Sequence, residues 1–244
     1  MAPLIPALVV IGLQVPYPLV HGHARNVLTV VTVVVFAVVS AGYAVARRGL
    51  PYGVALVAIA GVGGFAVEVL GVHTGVPFGR YRYDGGLGPS LFGVPLVIAL
   101  AWLMMAHPCV VVAERVANRP AARVAAVAIG LAGWDVFLDP QMVDARHWHW
   151  LDRSPHLPGV ERVPLSNLGG WLLVGAVIGA VLVTASRPRA VAPDEQPLVV
   201  LWIWVWLSSA LAALAFFDHP AVAGWGFGAM GLVGLPLVLH EARR

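Results

Sequence analysis

The sequence predicts an all-α protein, a polytopic transmembrane bundle of about eight helices. Hydrophobic residues make up 59% of the 244 residues, charged residues make up 11%, and the mean hydropathy is +0.84. This composition is too apolar for an ordinary water-soluble domain. Eight stretches approach the length of about 20 apolar residues that a helix needs to cross a bilayer. They run approximately over residues 4–20, 26–46, 51–71, 90–112, 121–139, 168–186, 197–217 and 221–240.

The distribution of arginine predicts the orientation of these spans. All 15 basic residues are arginine. With eight spans, nine arginines lie on the side of the termini and six on the other side, which predicts a multi-pass protein of the cell membrane with both termini in the cytoplasm. The first stretch is short, so a bundle of seven spans is the alternative. We expect residues 1–244 to form a single integral-membrane domain.

The composition also excludes several classes of partner and cofactor. Because the chain has no lysine, it cannot form a lysine Schiff base or use lysine in catalysis. The pI of about 9.5 comes from arginines in the connections, so we expect the lipid bilayer, and not nucleic acid, as a partner. A single cysteine excludes an internal disulfide and a cysteine zinc site. No cofactor motif is present, and no feature specifies an oligomeric state.

Two connections, residues 72–89 and 140–167, differ from the others in length and in content. In the eight-span arrangement both lie on the same, non-cytoplasmic face. They flank three spans whose ends carry acidic residues. We therefore expect one shared site that opens near that face.

Glu68 is an acidic residue inside the third span, about one turn from its end. An intramembrane carboxylate costs a few kcal/mol unless it is protonated or paired, and such groups are usually functional. An ion pair with a loop arginine is the structural alternative. His73 follows five residues later, nearer the water, and is a candidate partner for Glu68.

Asp135 and Asp139 lie four residues apart, so they share one helix face. Pro140 disfavours helical geometry at Asp139 and places it at or near the end of the helix. The helix dipole, the neighbouring carboxylate and the apolar surroundings all oppose ionisation. We expect at least one of the two to hold its proton near neutral pH and to serve as a general acid. Two solvated carboxylates at a helix end are the alternative.

Aromatic and polar residues around these acids are candidate substrate contacts. The segment "GVPFGRYRYDGGLGPSLFGVP" combines glycines and prolines, which favour tight turns, with tyrosines and arginines. The segment "HWHW" adds two tryptophans, although interfacial anchoring is the alternative for both segments. The candidates are Arg80, Tyr81, Tyr83, Trp134, Phe137, Trp148, Trp150 and Asn167.

Two of the polar groups have simpler interpretations. Asn167, in "VPLSNLGGW", enters the sixth span, where it either caps the helix or holds a water molecule, and capping is favoured. Asp144, His147 and His149 form one weak candidate ligand cluster. Spacing alone is poor evidence for a metal, so we predict no metal site.

Buried acids, many aromatic rings and no cofactor motif suit one kind of chemistry. Protonating an isolated carbon–carbon double bond gives a tertiary carbocation. That step needs a positioned acid, a shielded apolar pocket and aromatic faces that stabilise positive charge without attacking it. Capture of the cation by water gives a tertiary alcohol, and capture by an internal alkene gives a ring.

Four segments in order, "E...GVHTGVPFGRYRY", "FGVPLVIALAW", "WDVFLDPQMV...WHW" and "GVERVPLSNLGGW", resemble the membrane carotenoid hydratases over roughly residues 60–175. The resemblance implies cofactor-independent addition of water to the terminal double bond of an acyclic carotenoid, which gives a tertiary hydroxyl. It does not assign the proton donor. The residues that it implies for the site are Glu68, Asp135 and Asp139, with Tyr81, Tyr83, Trp148, Trp150 and Asn167 beside them.

The resulting hypothesis is a hydro-lyase that acts on a carotenoid or another long polyprenoid. Asp135 or Asp139 protonates the terminal alkene. Glu68, with His73 or Asn167, positions and deprotonates the attacking water.

Three other functions fit parts of the same pattern. A membrane terpene cyclase would use the same acid to start ring closure. A magnesium-dependent prenyltransferase would use Asp135, Asp139 and Asp144 for the metal and Arg80 and Arg82 for the diphosphate, but it generally needs a second aspartate-rich stretch. A proton-coupled lipid transporter would use the buried acids as a relay.

Overall fold

The computed structural model describes residues 4–186 and 194–242 and confirms the predicted all-α membrane fold. Seven helices in these residues are long and apolar enough to cross a membrane. Together with one shorter helix they are α1 (Ile5–Gln14), α2 (Gly22–Arg48), α3 (Leu50–Thr74), α4 (Val97–Val116), α5 (Pro120–Asp144), α6 (Leu165–Ala185), α7 (Gln196–Ala215) and α8 (Pro220–Glu241).

The N-terminal stretch does not form a full-length span. Helix α1 has 10 residues, and a 3₁₀ turn follows at Tyr17–Leu19, because Pro16 and Pro18 lack the N–H groups that a continuing helix needs. The seven long helices match the predicted alternative of seven spans and not the arrangement of eight. The predicted orientation counted eight crossings, and four of its arginines lie outside the described residues: Arg187, Arg189, Arg243 and Arg244.

Helix α4 is the central element of the bundle. In the apolar segment of α4, 83% of the residues are buried inside the protein. In the other six spans the corresponding share is 33–56%. Helices α2, α5 and α7 pack around it. The acidic ends of α3 and α5 therefore approach a common, well-shielded core.

Two predicted helix boundaries are wrong. The fourth stretch was expected to begin at residue 90, but α4 begins at Val97, and the residues before it form a tight hairpin. Asp139 was expected at the end of its helix, but α5 continues through Pro140 to Asp144. Tertiary packing therefore outweighs the local preference against a helical residue before proline, and Asp139 lies more than one turn before the helix end.

Four short strands organise the two long connections: β1 (Tyr81–Tyr83), β2 (Ser90–Leu91), β3 (Val94–Pro95) and β4 (Trp148–Trp150). Strands β1 and β4 pair antiparallel, with Tyr81 opposite Trp150 and Tyr83 opposite Trp148. This pairing confirms that the two connections meet on one face of the bundle, which we call the loop face. Because side chains alternate along a strand, the four aromatic residues point to the helices, and Arg82 between them is exposed.

Helix α3 contains a π-helical stretch, Val57–Gly63, between two α-helical parts. Such irregularities are frequent near functional sites. Directly after it, a Cβ atom on Gly64 would lie 2.7 Å from Cγ of Trp102, so glycine is required for this close approach of α3 to α4. Glu68, one turn later, lies on the same face of α3.

A buried ionic network occupies the opposite end of the bundle, and we call it the arginine cluster (Arg48, Tyr52, His107, Glu114, Ser186 and Glu195). The Nε atom of Arg48 donates to Oε1 of Glu195 at 2.9 Å. Its Nη1 and Nη2 atoms donate to Glu114, each at 2.9 Å. Nε2 of His107 lies 3.0 Å from Oε1 of Glu195. The cluster connects the end of α2 with α4 and with the start of α7.

Candidate active site

The two aspartates of α5 meet the first turn of α6 at the loop face. Nδ2 of Asn167 donates to Oδ2 of Asp135 at 2.7 Å and to Oδ2 of Asp139 at 2.5 Å. Nε1 of Trp148, on β4, donates to Oδ1 of Asp139 at 3.1 Å. Both aspartates and Asn167 are buried. Neutral donors from two different elements therefore hold this carboxyl pair.

Glu68 is held in the same way on the other side of the site. The hydroxyls of Tyr81 and Tyr83 both donate to its Oε2 atom, the latter at 3.0 Å. Nε1 of Trp102 donates to Oε1 at 3.0 Å. Glu68 is buried, and all three of these donors are uncharged. The expected alternative, an ion pair with a loop arginine, is not what the described residues form.

The two tyrosines remain hydrogen-bond donors at neutral pH. Burial, and then the adjacent Glu68 carboxyl, raise the pKa of both Tyr81 and Tyr83 above the ordinary phenol value. Their hydroxyl protons therefore stay in place and are available to Glu68. The strand β1 supplies both hydroxyls because residues i and i+2 of a strand share one face.

A small cavity, which we call the acid cavity, lies between Glu68 and Asp139. Its volume is about 30 Å³, which is enough for one or two water molecules. Trp102 and Trp171 stack beside it with ring centroids 3.8 Å apart. Its lining residues are Glu68, Phe78, Tyr81, Tyr83, Ile98, Ala101, Trp102, Leu138, Asp139, Trp148, Trp150, Asn167 and Trp171.

The two aspartates are not equivalent in this geometry. Asp139 lines the acid cavity, whereas Asp135 lies behind it and borders a separate space of about 20 Å³. The Oδ1 atom of Asp135 has no hydrogen-bond donor among the described residues. The Nδ2 atom of Asn167 donates to both carboxyl groups and so holds the two side chains side by side.

The structure brings most of the predicted site residues together but leaves out four. His73 is exposed at the end of α3 and does not border the acid cavity, so its expected pairing with Glu68 is wrong. Arg80 has a 65% exposed side chain that pairs with Asp152 at 2.7 Å. Phe137 points to α8, where a Cβ on Gly226 would lie 2.5 Å from its ring. Trp134 packs edge-on against Trp171 and borders a larger neighbouring cleft in place of the acid cavity.

One further interpretation from the sequence is corrected, and one alternative that it left open is not formed. Asn167 does not cap α6, because the N-cap residue is Pro164 and no side-chain capping bond forms; its amide binds the aspartates instead. The weak ligand cluster of Asp144, His147 and His149 does not assemble. Asp144 instead pairs with Arg162 and with His219. In the described part of the chain no group of three or more His, Cys, Asp or Glu side chains is arranged to hold a metal ion.

Three aromatic residues of the acid cavity were missed by the sequence analysis: Phe78, Trp102 and Trp171. Both tryptophans lie inside long apolar helices, where they resemble ordinary core residues. Their position in the sequence could have indicated a role in the site, because each tryptophan is the last residue of a motif segment that carries the family resemblance. Phe78 lies in the loop segment between the end of α3 and the start of β1.

The chain is similar to proteins of carotenoid biosynthesis. A family model described as "Carotenoid biosynthesis protein" matches residues 28–231. Bisanhydrobacterioruberin hydratase of Haloarcula japonica is 32% identical over 130 residues. This match covers 51% of the chain and 42% of the relative, so the alignment spans less than half of that protein. No solved structure matches the chain.

Proposed function

Because this chain belongs to the carotenoid biosynthesis protein family, whose model matches residues 28–231, we propose that it is a hydratase of acyclic carotenoids. It adds water to the terminal carbon–carbon double bond of the substrate and produces a tertiary alcohol. The relative from Haloarcula japonica, named as a hydratase, supports this reaction class. The bilayer supplies the substrate, which is a long and very apolar molecule.

One observation carries the proposal: Glu68 and Asp139 border the same small, aromatic-walled cavity from different helices. Hydration of an alkene needs an acid for one carbon and a base for the incoming water. Two carboxyl groups with different hydrogen-bond partners are suited to these two tasks. The small volume of the acid cavity limits the number of water molecules that reach the cation.

We assign proton donation to Asp139 and place Asp135 behind it as a positioning residue. Asp139 transfers its proton to the less substituted alkene carbon, and the π bond breaks to leave a tertiary carbocation. Asp135 and Asn167 hold the Asp139 carboxyl in place. After the transfer, the Asn167 amide and the Trp148 N–H stabilise the new carboxylate, since both donate to it.

Water then forms the new carbon–oxygen bond, and Glu68 accepts the proton that the water loses. The donors from Tyr81, Tyr83 and Trp102 orient the Glu68 carboxyl so that an oxygen lone pair faces the cavity. Proton return from Glu68 to Asp139 through cavity water completes the cycle. The balance is one alkene and one water consumed for one alcohol formed.

The surrounding rings stabilise the cation. A cation near an aromatic face gains about 0.5–2 kcal/mol, and the acid cavity is bordered by seven aromatic side chains. The hydroxyls of Tyr81 and Tyr83 are engaged with Glu68, which favours water as the nucleophile that captures the cation. The same walls exclude bulk water, which strengthens every electrostatic interaction within the site.

Product analysis in labelled water tests the proposal. Membranes that contain the protein are incubated with lycopene, an acyclic carotenoid with unmodified ends, in ¹⁸O-enriched water. We expect a product heavier by one water molecule that carries the label in a tertiary hydroxyl. An isomeric hydrocarbon without oxygen would identify a cyclase instead, and magnesium-dependent use of a prenyl diphosphate would identify a prenyltransferase. Proton-coupled uptake without any product would identify a transporter.

A further inference from the structure

An apolar cleft of about 420 Å³ lies next to the acid cavity. Its volume falls within the range of about 300–1,000 Å³ that is typical of small-molecule sites. Helices α2, α4, α5 and α7 form its walls, together with the end of α1. Its apolar lining includes Met104, Met142, Trp134, Leu138, Trp204 and Phe216.

The apolar cleft and the acid cavity share one side chain, that of Leu138. On α5, Trp134, Leu138 and Gln141 recur at helical spacing and face the cleft. Asp135 and Asp139 occupy the neighbouring face of the same helix. The Leu138 side chain thus separates the two spaces. Among the described residues, only this side chain lies between the end of a molecule in the cleft and the acid cavity that Asp139 borders.

The dimensions of the two spaces decide where a long substrate lies. The acid cavity, at about 30 Å³, has no room for a hydrocarbon chain. Along α7 the cleft extends from Trp204 to Phe216, which corresponds to about 18 Å of helix axis. It therefore suits an extended chain, and its methionine and aromatic side chains are polarisable surfaces against which such a chain packs.

We propose that the apolar cleft binds the polyene chain of the substrate, and that the terminal double bond passes Leu138 to reach Asp139. This inference rests on the proposed function for the identity of its occupant. Leu138 is only partly buried, so its rotation admits the end group without disturbing the closely packed core. The cleft then selects for extended, acyclic polyprenoid chains, and the acid cavity selects the end group.

Polyene retention by purified protein tests this assignment. The variants Ala212→Trp and Ser209→Phe place bulk inside the cleft, whereas Ala215→Trp places the same bulk on an exposed position of the same helix that does not line it. Each is combined with Asp139→Asn, so that turnover does not consume the ligand. Protein in nanodiscs is loaded with lycopene and washed, and the retained polyene is measured by visible absorbance and induced circular dichroism.

We expect the two cleft variants to retain at least about tenfold less lycopene than Ala215→Trp, because overpacking of an occupied site costs more than an order of magnitude in binding. Unfolding temperatures and gel-filtration profiles verify that each variant is folded, and two different cleft substitutions guard against the failure of one. Equal retention by all variants, or none by the parent, overturns the proposal and leaves bilayer lipid as the occupant. Failure of the proposed function gives a different result: the cleft variants still lose lycopene, but the native protein forms no alcohol.

Discussion

The two ends of the bundle bury carboxyl groups in opposite ways. In the arginine cluster, Glu114 and Glu195 share the guanidinium of Arg48, which is only 5% exposed. At the loop face, Glu68, Asp135 and Asp139 receive hydrogen bonds only from uncharged groups among the described residues. Buried charges in structural networks are normally paired. Among the described residues, the absence of a cationic partner therefore distinguishes the candidate active site from the arginine cluster.

Nearby cations would defeat the proposed chemistry. An arginine beside Asp139 would hold that residue as a carboxylate and repel a developing carbocation. The chain has 15 arginines, yet Arg80, directly before β1, pairs with Asp152 on the surface and not with the buried carboxyl groups. Aromatic rings and amide groups fill the corresponding positions around the acid cavity.

The largest expected effect comes from removing the proposed proton donor. We expect Asp139→Asn to lower the hydration rate by about 10²- to 10⁴-fold, the usual contribution of a general acid, without loss of folding. Asp144→Asn is the matched control, because Asp144 lies on the same helix but pairs with Arg162 and His219 outside the acid cavity. The measurement is product formation per folded protein. Near-native turnover by Asp139→Asn would remove Asp139 from its assigned role.

For a substitution in the arginine cluster we expect the reverse outcome, which is lower stability with unchanged catalytic activity. Replacing Arg48 by Met leaves Glu114 and Glu195 without their shared partner, and breaking a buried pair in this way costs about 3–5 kcal/mol. We expect a lower unfolding temperature in detergent, while turnover of the folded fraction at low temperature stays near native. Arg119→Gln, on an exposed connection, serves as the control. A loss of turnover without a loss of stability would contradict a purely structural cluster.

The acids and aromatics of the site were predictable because their physical signals are local. A carboxylate such as Glu68 inside an apolar run is costly wherever the helices pack. The i, i+4 spacing of Asp135 and Asp139 specifies a shared face. The two long connections were predicted to meet because helix alternation puts them on one side, and the pairing of β1 with β4 confirms it. The resemblance to carotenoid hydratases is confirmed by the family match.

The remaining features depend on packing that a single sequence does not specify. Whether Trp102 serves the core or the site depends on which residue its N–H reaches, and that is settled by the close contact at Gly64. His73 was a plausible partner of Glu68 by distance along the chain, but five residues of α-helix turn it to a different face from Glu68, and it lies exposed at the end of α3. The difference between Asp135 and Asp139 likewise arises only from the position of the acid cavity.

A smaller effect should separate the two ends by their response to acid. Burial opposes ionisation of Glu195, but hydrogen bonds from His107 and Arg48 outweigh it and lower its pKa to about 2. A carboxyl whose pKa is lower in the folded state contributes stability above its unfolded pKa, and that contribution is lost as the pH falls. We therefore expect the difference in unfolding temperature between native protein and Glu195→Gln to shrink as the pH falls from about 4.5 towards 2. A difference that stays constant over this interval would contradict the ion pair.

The smallest and most selective comparison removes one hydroxyl from each end. Tyr83→Phe deletes one of three donors to Glu68 and keeps the ring, so we expect about a fivefold lower turnover, equivalent to about 1 kcal/mol for one hydrogen bond, with little change in unfolding temperature. Tyr52→Phe deletes the hydroxyl that contacts His107 at 3.2 Å in the arginine cluster, and we expect lower stability with unchanged turnover. The informative result is that one variant loses mainly turnover and the other mainly stability. A general loosening of the bundle would instead lower turnover and stability together in both variants. Equal effects of the two substitutions on turnover would mean that the uncharged donors around Glu68 have no special part in the reaction.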